Sequence, residues 1–271
     1  MAIAGLIMID KLPVSAIVVG YNEARLLEQA LKPLSFCDEI LYFDLGSEDD
    51  SKEIALRFGA KVIDHARVDS CEWIHAKYSR STKHEWVLIT DPDEVLSEEL
   101  VNEIHHIFNG GISLDNVGAI SSPWIFYFKG KRLYGTNWGG INRRVLLVNH
   151  NRFEFLELIH LGRKVKDGYT TYDIPFKGGN FIHHYWMISY RKLFEKHSRY
   201  LRNEGEARFK NGIRSTPREI ALQPFRSFRN SFISARGYKD GFTGFFLSCF
   251  WAWYETNAKI RNYTYQKQTN N

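Results

Sequence analysis

Short apolar runs alternate with amphipathic stretches over the first hundred residues of the chain. The run 14–19 is rich in β-branched residues and ends in a polar turn, after which residues 24–34 place apolar side chains at helical spacing. This order of strand, turn and helix recurs, with predicted strands at 14–19, 39–43, 61–64 and 85–90 and predicted helices at 24–34, 51–58 and 71–83. The alternation predicts an α/β fold built on a mostly parallel sheet.

The pattern changes further along the chain. Residues 95–108 have helical spacing, and strand-like runs follow at 117–128, 144–148 and 170–174. From Ser189 onward the sequence is mainly helical, with interruptions expected at Pro217 and Pro224. We therefore expect two regions, 1–188 and 189–271. The longest apolar run, 242–254, is shorter than the roughly 20 residues that a membrane-spanning helix needs, so no transmembrane helix is predicted.

Composition supports a folded protein, and charge separates the two regions. The 271 residues are 44% hydrophobic, which excludes a disordered chain. Residues 1–188 hold 20 basic and 25 acidic side chains, whereas residues 189–271 hold 16 basic and 6 acidic ones. The basic tail predicts an anionic partner, for which phospholipid, nucleic acid and a polyanionic acceptor are the alternatives.

The three cysteines have neither a pairable nor a metal-ligand spacing, which argues against disulfides and zinc and favours a reducing compartment. Residues 1–9 are apolar but have no positively charged start, so a leader or edge strand is expected rather than a signal peptide. These features predict a cytoplasmic protein.

The segment Asp91-Pro92-Asp93-Glu94 follows an apolar strand. Two carboxylates one residue apart at a strand end suit a hard divalent cation and the phosphates that it neutralises. The alternative is an acidic turn that caps a helix beginning near Ser97. The polar turn at 44–50 and Tyr21-Asn22-Glu23 follow two other strands, and ligands of parallel sheets bind beyond such strand ends.

Three segments, at 14–23, 40–51 and 86–97, resemble in order and spacing the nucleotide-sugar-binding half of glycosyltransferase family 2. The resemblance implies a GT-A fold, which is a Rossmann-like, mostly parallel central sheet flanked by helices, here with a helical C-terminal extension. It implies a catalytic domain at 1–188, with the donor-binding half at about 13–100 and the acceptor half at about 101–188.

The resemblance also implies roles for single residues on the donor side. Tyr21 and Glu23 would lie beside the nucleotide base, and Asp44 would form a hydrogen bond with that base. Asp91 would approach the ribose or the metal, and Asp93 would hold a divalent cation, Mg²⁺ or Mn²⁺, on the diphosphate.

The segment Phe181-Ile-His-His-Tyr185 resembles a family element in which a histidine contributes to the metal or pyrophosphate site. His184 aligns with that histidine better than His183 does, so His184 is the third predicted metal residue.

The chain departs from the family at two places. Leu161 stands where relatives often carry the glutamate that serves as catalytic base, which leaves Glu157 and His160 as substitutes for taking the acceptor proton. Relatives commonly carry an Arg-Asn pair near Trp73, and this chain has His75 and Lys77 there instead.

The segment Gly237-Tyr-Lys-Asp-Gly-Phe-Thr-Gly244 resembles the C-terminal region of lipopolysaccharide-core and related surface-polysaccharide transferases. The aromatic run after it and the arginines before it suit peripheral contact with an anionic membrane. Packing of these helices on the catalytic domain, or on a second copy of the chain, is the alternative. The basic residues follow no nucleic-acid recognition motif, so no nucleic acid partner is expected.

The resemblance thus implies an inverting, metal-dependent glycosyltransferase. It would move a sugar from a nucleoside diphosphate sugar to a glycan or lipid-linked acceptor in bacterial surface polysaccharide or lipopolysaccharide synthesis, at the inner face of the cytoplasmic membrane. A catalytically inert relative that binds a nucleotide sugar or a glycan is one alternative. A nucleotidyltransferase is another, although the sequence has no Gly-rich basic loop near its N-terminus.

Overall fold

The structure is a computed structural model, which describes residues 11–68, 70–155 and 163–269. The strands are β1 Leu12–Gly20, β2 Cys37–Asp44, β3 Lys61–Asp64, β4 Trp86–Thr90, β5 Glu94–Leu96, β6 Val117–Phe128, β7 Lys131–Arg132, β8 Asn142–Asn149, β9 Phe153–Phe155, β10 Arg163–Val165, β11 Thr170–Asp173 and β12 Ile182–Met187. The helices are α1 Ala24–Leu31, α2 Ser51–Arg57, α3 Cys71–Tyr78, α4 Glu98–His106, α5 Tyr190–Lys210, α6 Pro217–Phe228 and α7 Gly241–Thr269.

One compact unit contains the described residues up to Trp124 together with Arg143–His184. Its sheet has the strand order β3-β2-β1-β4-β8-β6-β12-β5. The first four strands in this order are parallel, whereas β8 runs antiparallel to β4 and β5 antiparallel to β12. The predicted α/β class is confirmed, and the parallel arrangement holds for the half of the sheet that carries the three motifs.

The alternation of side chains along β1 explains why helices cover both faces of this sheet. Val14, Ala16 and Val18 are fully buried in a cluster that includes residues of α1, α2 and α4. Ile17 and Val19 face the other way, into a cluster that includes Ile74 of α3. With both faces covered, the strand ends are left as the place where polar groups can meet a ligand.

The helix predicted from residue 95 begins later. Glu94–Leu96 forms β5, whose residues pair with Ile182–His184 of β12. The Ser97 hydroxyl accepts a hydrogen bond from the Leu100 backbone N–H at 3.2 Å, so α4 begins at Glu98. Sequence periodicity missed β5 because its pairing partner lies almost ninety residues further along the chain.

The second unit contains Ile125–Asn142 and the described residues from Tyr185 onward. The guanidinium of Arg208 on α5 binds the carboxylate of Glu255 on α7 at 2.8 Å, and Gly205 admits the backbone of Arg261, which would lie 2.7 Å from an added Cβ. Close helix packing therefore explains the glycine.

The two prolines expected to interrupt this helical region behave differently. Pro217 is the first residue of α6, after the Thr216 cap, where its missing N–H costs nothing. The interruption predicted at Pro224 is wrong, because α6 continues through it to Phe228. Within the described residues, no helix is both long and apolar enough to span a bilayer.

Candidate functional site

The loops that follow β1 and β2 are joined by reciprocal hydrogen bonds. The Asn22 backbone N–H donates to the Ser47 hydroxyl at 3.0 Å, and the Asn22 side-chain oxygen accepts from the Glu48 N–H at 2.8 Å. The Glu23 N–H donates to the Ser51 hydroxyl at 2.9 Å. Asn22 has a φ of 55°, a left-handed conformation that asparagine tolerates well. The polar side chains of these loops therefore fix the two strand ends to each other.

Asp44 ends β2 and is fully buried. Its Oδ2 atom accepts hydrogen bonds from the backbone N–H groups of Gly46 at 3.0 Å and Ser47 at 2.9 Å, and Lys52 Nζ lies 3.5 Å away. Burial by itself would raise the pKa of Asp44, but the hydrogen bonds from Ser47 and Gly46 outweigh it and hold the pKa below its usual value. Asp44 is therefore an ionised carboxylate at neutral pH.

The other carboxylate oxygen of Asp44 is not satisfied in the same way. Oδ1 is buried and has no hydrogen-bond partner among the residues that the structure describes. A buried anionic acceptor without a donor is costly, so the geometry suits a ligand that supplies an N–H or O–H group.

Tyr21 and Glu23 lie at the end of β1, next to Asp44, because Gly20 and Asp44 are paired in the parallel register of β1 and β2. The guanidinium carbon of Arg67 lies 3.7 Å from the centroid of the Tyr21 ring. This stacking fixes the ring and places a cation beside it.

The turn after β4 is organised by Glu94. The Glu94 side chain is fully buried, and its Oε2 atom accepts from the Thr90 hydroxyl and from the Asp91 backbone N–H, each at 3.1 Å. The Glu94 N–H donates in turn to the Asp91 carbonyl oxygen at 3.0 Å. Glu94 therefore holds the two ends of the turn together, and the turn presents Asp91 and Asp93.

Arg144, near the start of β8, supplies positive charge to this turn. Its guanidinium forms an ion pair with Glu94 and lies 3.4 Å from Asp91 Oδ2, while Nη2 donates to the Ile89 carbonyl at 3.3 Å. The Arg144 side chain is only 11% exposed. An ion pair this buried requires its further hydrogen bonds to offset desolvation, which ties Asp91 to a defined position.

His184 on β12 reaches the same turn from the other side. Its Nε2 atom lies 3.4 Å from Asp93 Oδ2, and its ring stacks on Trp124 with centroids 4.6 Å apart and planes 8° from parallel. Successive side chains of a strand point to opposite faces, so His183 is directed away from this position. The structure thus places His184 beside Asp93, whereas the contacts of Asp91 are with Arg144 and Glu94.

The chemistry of the donor set fits a divalent cation held by Asp93 and His184. Cis ligands of an octahedral ion at 2.0–2.1 Å are about 3.0 Å apart, close to the separation between His184 Nε2 and Asp93 Oδ2. Within the described ranges no group of three or more His, Cys, Asp or Glu side chains is arranged to hold a metal ion, so Asp93 and His184 would be two protein ligands only. Such a site leaves coordination positions for phosphate oxygens and water, as Mg²⁺ sites usually do.

Three residues of this region were not identified from the sequence: Arg67, Trp124 and Arg144. Arg144 begins the strand-like run predicted at 144–148, but its partners lie some fifty residues away. A charge at the start of the buried run of β8 is the one signal that could have marked it.

The structure does not place the other predicted residues in this site. Glu157 and His160, the substitutes for the catalytic base, and Leu161 lie outside the described residues. His75 is buried on α3, and the Lys77 ammonium lies over the rings of Trp73, at 4.5 Å, and Tyr78, at 5.2 Å.

Comparison with known proteins supports the resemblance read from the motifs. The chain is 27% identical to a protein of Rickettsia bellii named as an uncharacterized glycosyltransferase, over 93% of this chain and 87% of the relative. It is 24% identical to a protein of the same designation from Rickettsia prowazekii, over 94% of this chain and 89% of that one. No family model matches the chain.

Solved structures share less. One structure of glucosyl-3-phosphoglycerate synthase from Mycobacterium tuberculosis, with phosphoglyceric acid, is 17% identical with a TM-score of 0.34, over 42% of this chain and 44% of that one. Another, with Mg²⁺ and uridine diphosphate, is 15% identical with a TM-score of 0.37, over 52% and 59%. The chain thus spans about half the length of that enzyme. Similarity of this degree carries no information about the chemistry of the present chain.

Proposed function

We propose that the protein is an inverting, metal-dependent glycosyltransferase that takes its sugar from a nucleoside diphosphate. The observation that carries the proposal is the placing of two complementary groups at the carboxyl ends of β2 and β4. One is the unsatisfied carboxylate oxygen of Asp44, and the other is the pair formed by Asp93 and His184. A nucleotide sugar needs both kinds of group, since its base offers N–H donors and its diphosphate needs a cation. The curated relatives named as glycosyltransferases agree with this assignment.

Asp44 binds the nucleotide base in this scheme. Its Oδ1 atom accepts an N–H group of the base, while the hydrogen bonds to Oδ2 from Gly46 and Ser47 keep the carboxylate ionised and oriented. Tyr21, stacked on Arg67, and Glu23 line the same end of β1. Because the Asp44 side chain is fully buried, the residues around it would have to move for the base to reach Oδ1.

Asp93 and His184 hold the divalent cation, Mg²⁺ or Mn²⁺. The cation, when bound, neutralises the negative charge that develops on the nucleoside diphosphate as the bond to the sugar breaks. Trp124 keeps the His184 imidazole in place by stacking on it. Arg144 holds Asp91, whose carboxylate remains 40% exposed and is available to the ribose or to water bound to the cation.

An inverting transfer also needs one group that removes the proton of the attacking hydroxyl. Glu157 and His160 are our proposals for this base, since Leu161 cannot accept a proton. The hydroxyl belongs to a glycan or lipid-linked acceptor, which we assign to bacterial surface polysaccharide or lipopolysaccharide synthesis. These roles follow from the family resemblance alone.

The surface of the second unit supports our proposal of peripheral membrane contact, which we assign to the cytoplasmic side. Side chains of α6 and α7 line an open apolar groove, with Pro224, Phe225, Phe228, Cys249, Ala252 and Trp253 contributing its walls. Arg226 on α6 and Arg229, the residue after its end, are exposed beside these residues. Aromatic and cationic side chains on one surface match the interface of an anionic phospholipid membrane.

The enzyme assignment is tested by donor turnover and nucleotide binding measured together. Wild type and Asp93→Asn are supplied with UDP-, GDP-, dTDP- and CMP-linked sugars in Mn²⁺ or Mg²⁺, and release of nucleotide is followed. We expect the wild type to hydrolyse or transfer from one donor class, and the variant to lose at least about a hundredfold in rate, or about 2.7 kcal/mol of transition-state stabilisation. Nucleotide binding by the wild type without any turnover would instead identify an inert binding protein.

A further inference from the structure

Asp240 joins two loops of the second unit. Its two carboxylate oxygens accept hydrogen bonds from consecutive backbone N–H groups, those of Tyr134 and Gly135, each at 2.7 Å. The first loop follows β7, and the second is the Gly237–Asp240 turn that leads into α7. The carboxylate of a C-terminal motif therefore fixes a loop more than a hundred residues earlier in the chain.

The backbones of these two loops pack closely against each other. A Cβ atom on Gly135 would lie 2.0 Å from the Arg236 carbonyl oxygen, and one on Gly244 would lie 1.8 Å from the Gly237 carbonyl oxygen. Arg236 itself has a φ of 58°, in the left-handed region that non-glycine residues rarely occupy. Close packing thus explains Gly135 and Gly244, whereas Gly241 has a positive φ and open space around it, and Arg236 is held in a strained backbone conformation.

The joined loops display cations and tyrosine rings. Lys131 is exposed on β7 and Tyr134 on the loop that follows it. Arg236 is exposed just before the Gly237–Asp240 turn, and Tyr238 and Lys239 are exposed within that turn. We call these five residues the two-loop surface. Tyr134 is 56% exposed and Tyr238 is 53% exposed. The guanidinium of Arg132 lies 4.9 Å from the centroid of the Tyr134 ring, which orients that ring.

Acidic side chains do not neutralise this surface. The segment 125–142 contains no Asp or Glu, and Asp240 is the one acid in the segment 229–254. Both oxygens of Asp240 are committed to the backbone. Other acidic residues of the unit are engaged elsewhere. Glu204 and Glu255, for example, form ion pairs with Arg208. The three cations of the two-loop surface therefore present a net positive potential.

We propose that the two-loop surface binds an anionic saccharide, carboxylated or phosphorylated, as part of the acceptor. This rests on the proposed glycosyl transfer and adds the chemical class of its acceptor. Tyrosine rings offer flat apolar faces for a sugar ring together with a hydroxyl for its polar edge. Lysine and arginine form the stronger, charge-assisted hydrogen bonds with carboxylate or phosphate oxygens.

The geometry favours a saccharide over a bilayer as the occupant. The exposed rings here are tyrosines held between cations on backbone-packed loops, whereas the large exposed apolar rings Phe225, Phe242 and Trp253 belong to α6 and α7. A rigid, polar surface suits a ligand with defined hydroxyl and acid groups, because little conformational entropy is lost when it binds.

The test uses an oligosaccharide of known charge. Hexagalacturonate and neutral maltohexaose are titrated by calorimetry into the full-length protein at low salt. We expect hexagalacturonate to bind at least about ten times more tightly than maltohexaose. The variant K131Q/R236N/K239Q should lose at least tenfold in hexagalacturonate affinity, and Asn is chosen at position 236 because it tolerates the left-handed backbone.

A matched control separates this site from general attraction to a basic protein. K259Q/R261Q/K267Q removes the same charge from the C-terminal half of α7, about 27 Å or more along the helix from its first residue. We expect its hexagalacturonate affinity to stay within twofold of wild type. Equal losses in the two triple variants, or no preference of the wild type for the charged sugar, would overturn the proposal.

Asp240 is a positioning residue in this scheme and has its own test. Asp240→Asn keeps one acceptor but places an amide against the second N–H, so the first loop is released. We expect weaker hexagalacturonate binding and a higher acceptor KM with little change in kcat, which a purely structural defect would not produce selectively. Nucleotide binding by the wild type is measured separately, so absence of donor binding would count against the proposed function and not against this surface.

Discussion

The imidazole Nε2 of His184 lies 3.4 Å from the carboxylate Oδ2 of Asp93. His184 is on β12, which pairs in antiparallel register with β5, the strand that directly follows Asp93. His184 pairs with Glu94 in this register, so the backbone of β12 fixes the histidine against the turn that contains Asp93. Strand pairing thus places side by side the two groups that we propose as holders of the cation.

Replacing His184 by alanine should weaken cation binding. Loss of even an outer-shell partner usually costs 10–100-fold in metal affinity, so removal of a direct ligand is expected to cost at least about tenfold. Titration with Mn²⁺ followed by electron paramagnetic resonance, with uridine diphosphate present, measures this affinity. His183→Gln is the matched control on the opposite face of β12, and an equal loss in both variants would contradict the assignment.

Arg144 should matter for stability as well as for the site. Arg144→Met leaves the fully buried Glu94 carboxylate without its cation, which typically costs about 3–5 kcal/mol. The double variant E94Q/R144M removes the buried charge altogether and should be more stable than R144M alone. Urea unfolding of the wild type, R144M, E94Q and E94Q/R144M completes the double-mutant cycle. Additive effects of the two substitutions on the free energy of unfolding would show that Glu94 and Arg144 do not stabilise the fold through their interaction.

Local patterns were enough to predict the parallel half of the fold. Strand β3 and strand β6 have the predicted bounds, because each is a β-branched or aromatic run bounded by turn residues. The start of α4 was misplaced because β5 exists only through its pairing with β12. Pairing between distant segments leaves no trace in a window of neighbouring residues.

For the candidate site, too, only the features visible in local sequence patterns were predictable. Carboxylates at strand ends, such as Asp44 and Asp93, are visible in the sequence because the strand and its following turn are adjacent in the chain. Arg144 and Trp124 were not identified, since their roles come from β8 and β6 lying near β4 and β12 in the sheet. Residues that position a ligand group are therefore harder to identify than the ligand groups themselves.

Asp44→Asn should reduce nucleotide affinity. A hydrogen bond to a charged group contributes about 1.5–3 kcal/mol, so the dissociation constant for the nucleoside diphosphate should rise about 10–150-fold. Fluorescence or calorimetric titration with uridine and guanosine diphosphates measures the change. Asp38→Asn, near the opposite end of β2, is the control. Unchanged affinity in the Asp44 variant would exclude a contact between Asp44 and the base.

Membrane contact through α6 and α7 predicts a dependence on exposed rings. Phe225 and Phe242 are each 75% exposed, and Trp253 is 39% exposed, so F225Q/F242Q/W253Q should fold with little cost. We expect this variant to lose at least fivefold in partition onto vesicles of phosphatidylglycerol and phosphatidylethanolamine, measured by sedimentation. Wild type should bind vesicles of phosphatidylcholine weakly, because the arginine contribution needs anionic lipid. Equal sedimentation of variant and wild type would refute the contact.

His197 on α5 predicts how the stability of the second unit varies with pH. The ring is 6% exposed and lies edge-on to Phe250 and Tyr254, and its Nδ1 atom is 2.9 Å from the Leu193 carbonyl oxygen. Burial lowers the pKa of His197 below its usual value, although the hydrogen bond to Leu193 acts the other way. The folded protein therefore binds a proton at this ring less readily than the unfolded chain does.

The sign of the effect follows from that difference. Below the usual histidine pKa of about 6.5, the unfolded chain takes up a proton that the folded state resists, so the free energy of unfolding should fall as the pH falls. Above that pH both states are neutral at this ring and its contribution is constant. His197→Phe keeps an aromatic ring in the cluster and should flatten the dependence, which urea unfolding between pH 5 and pH 8 measures for both proteins. An unchanged slope in the variant would assign the pH dependence to other groups.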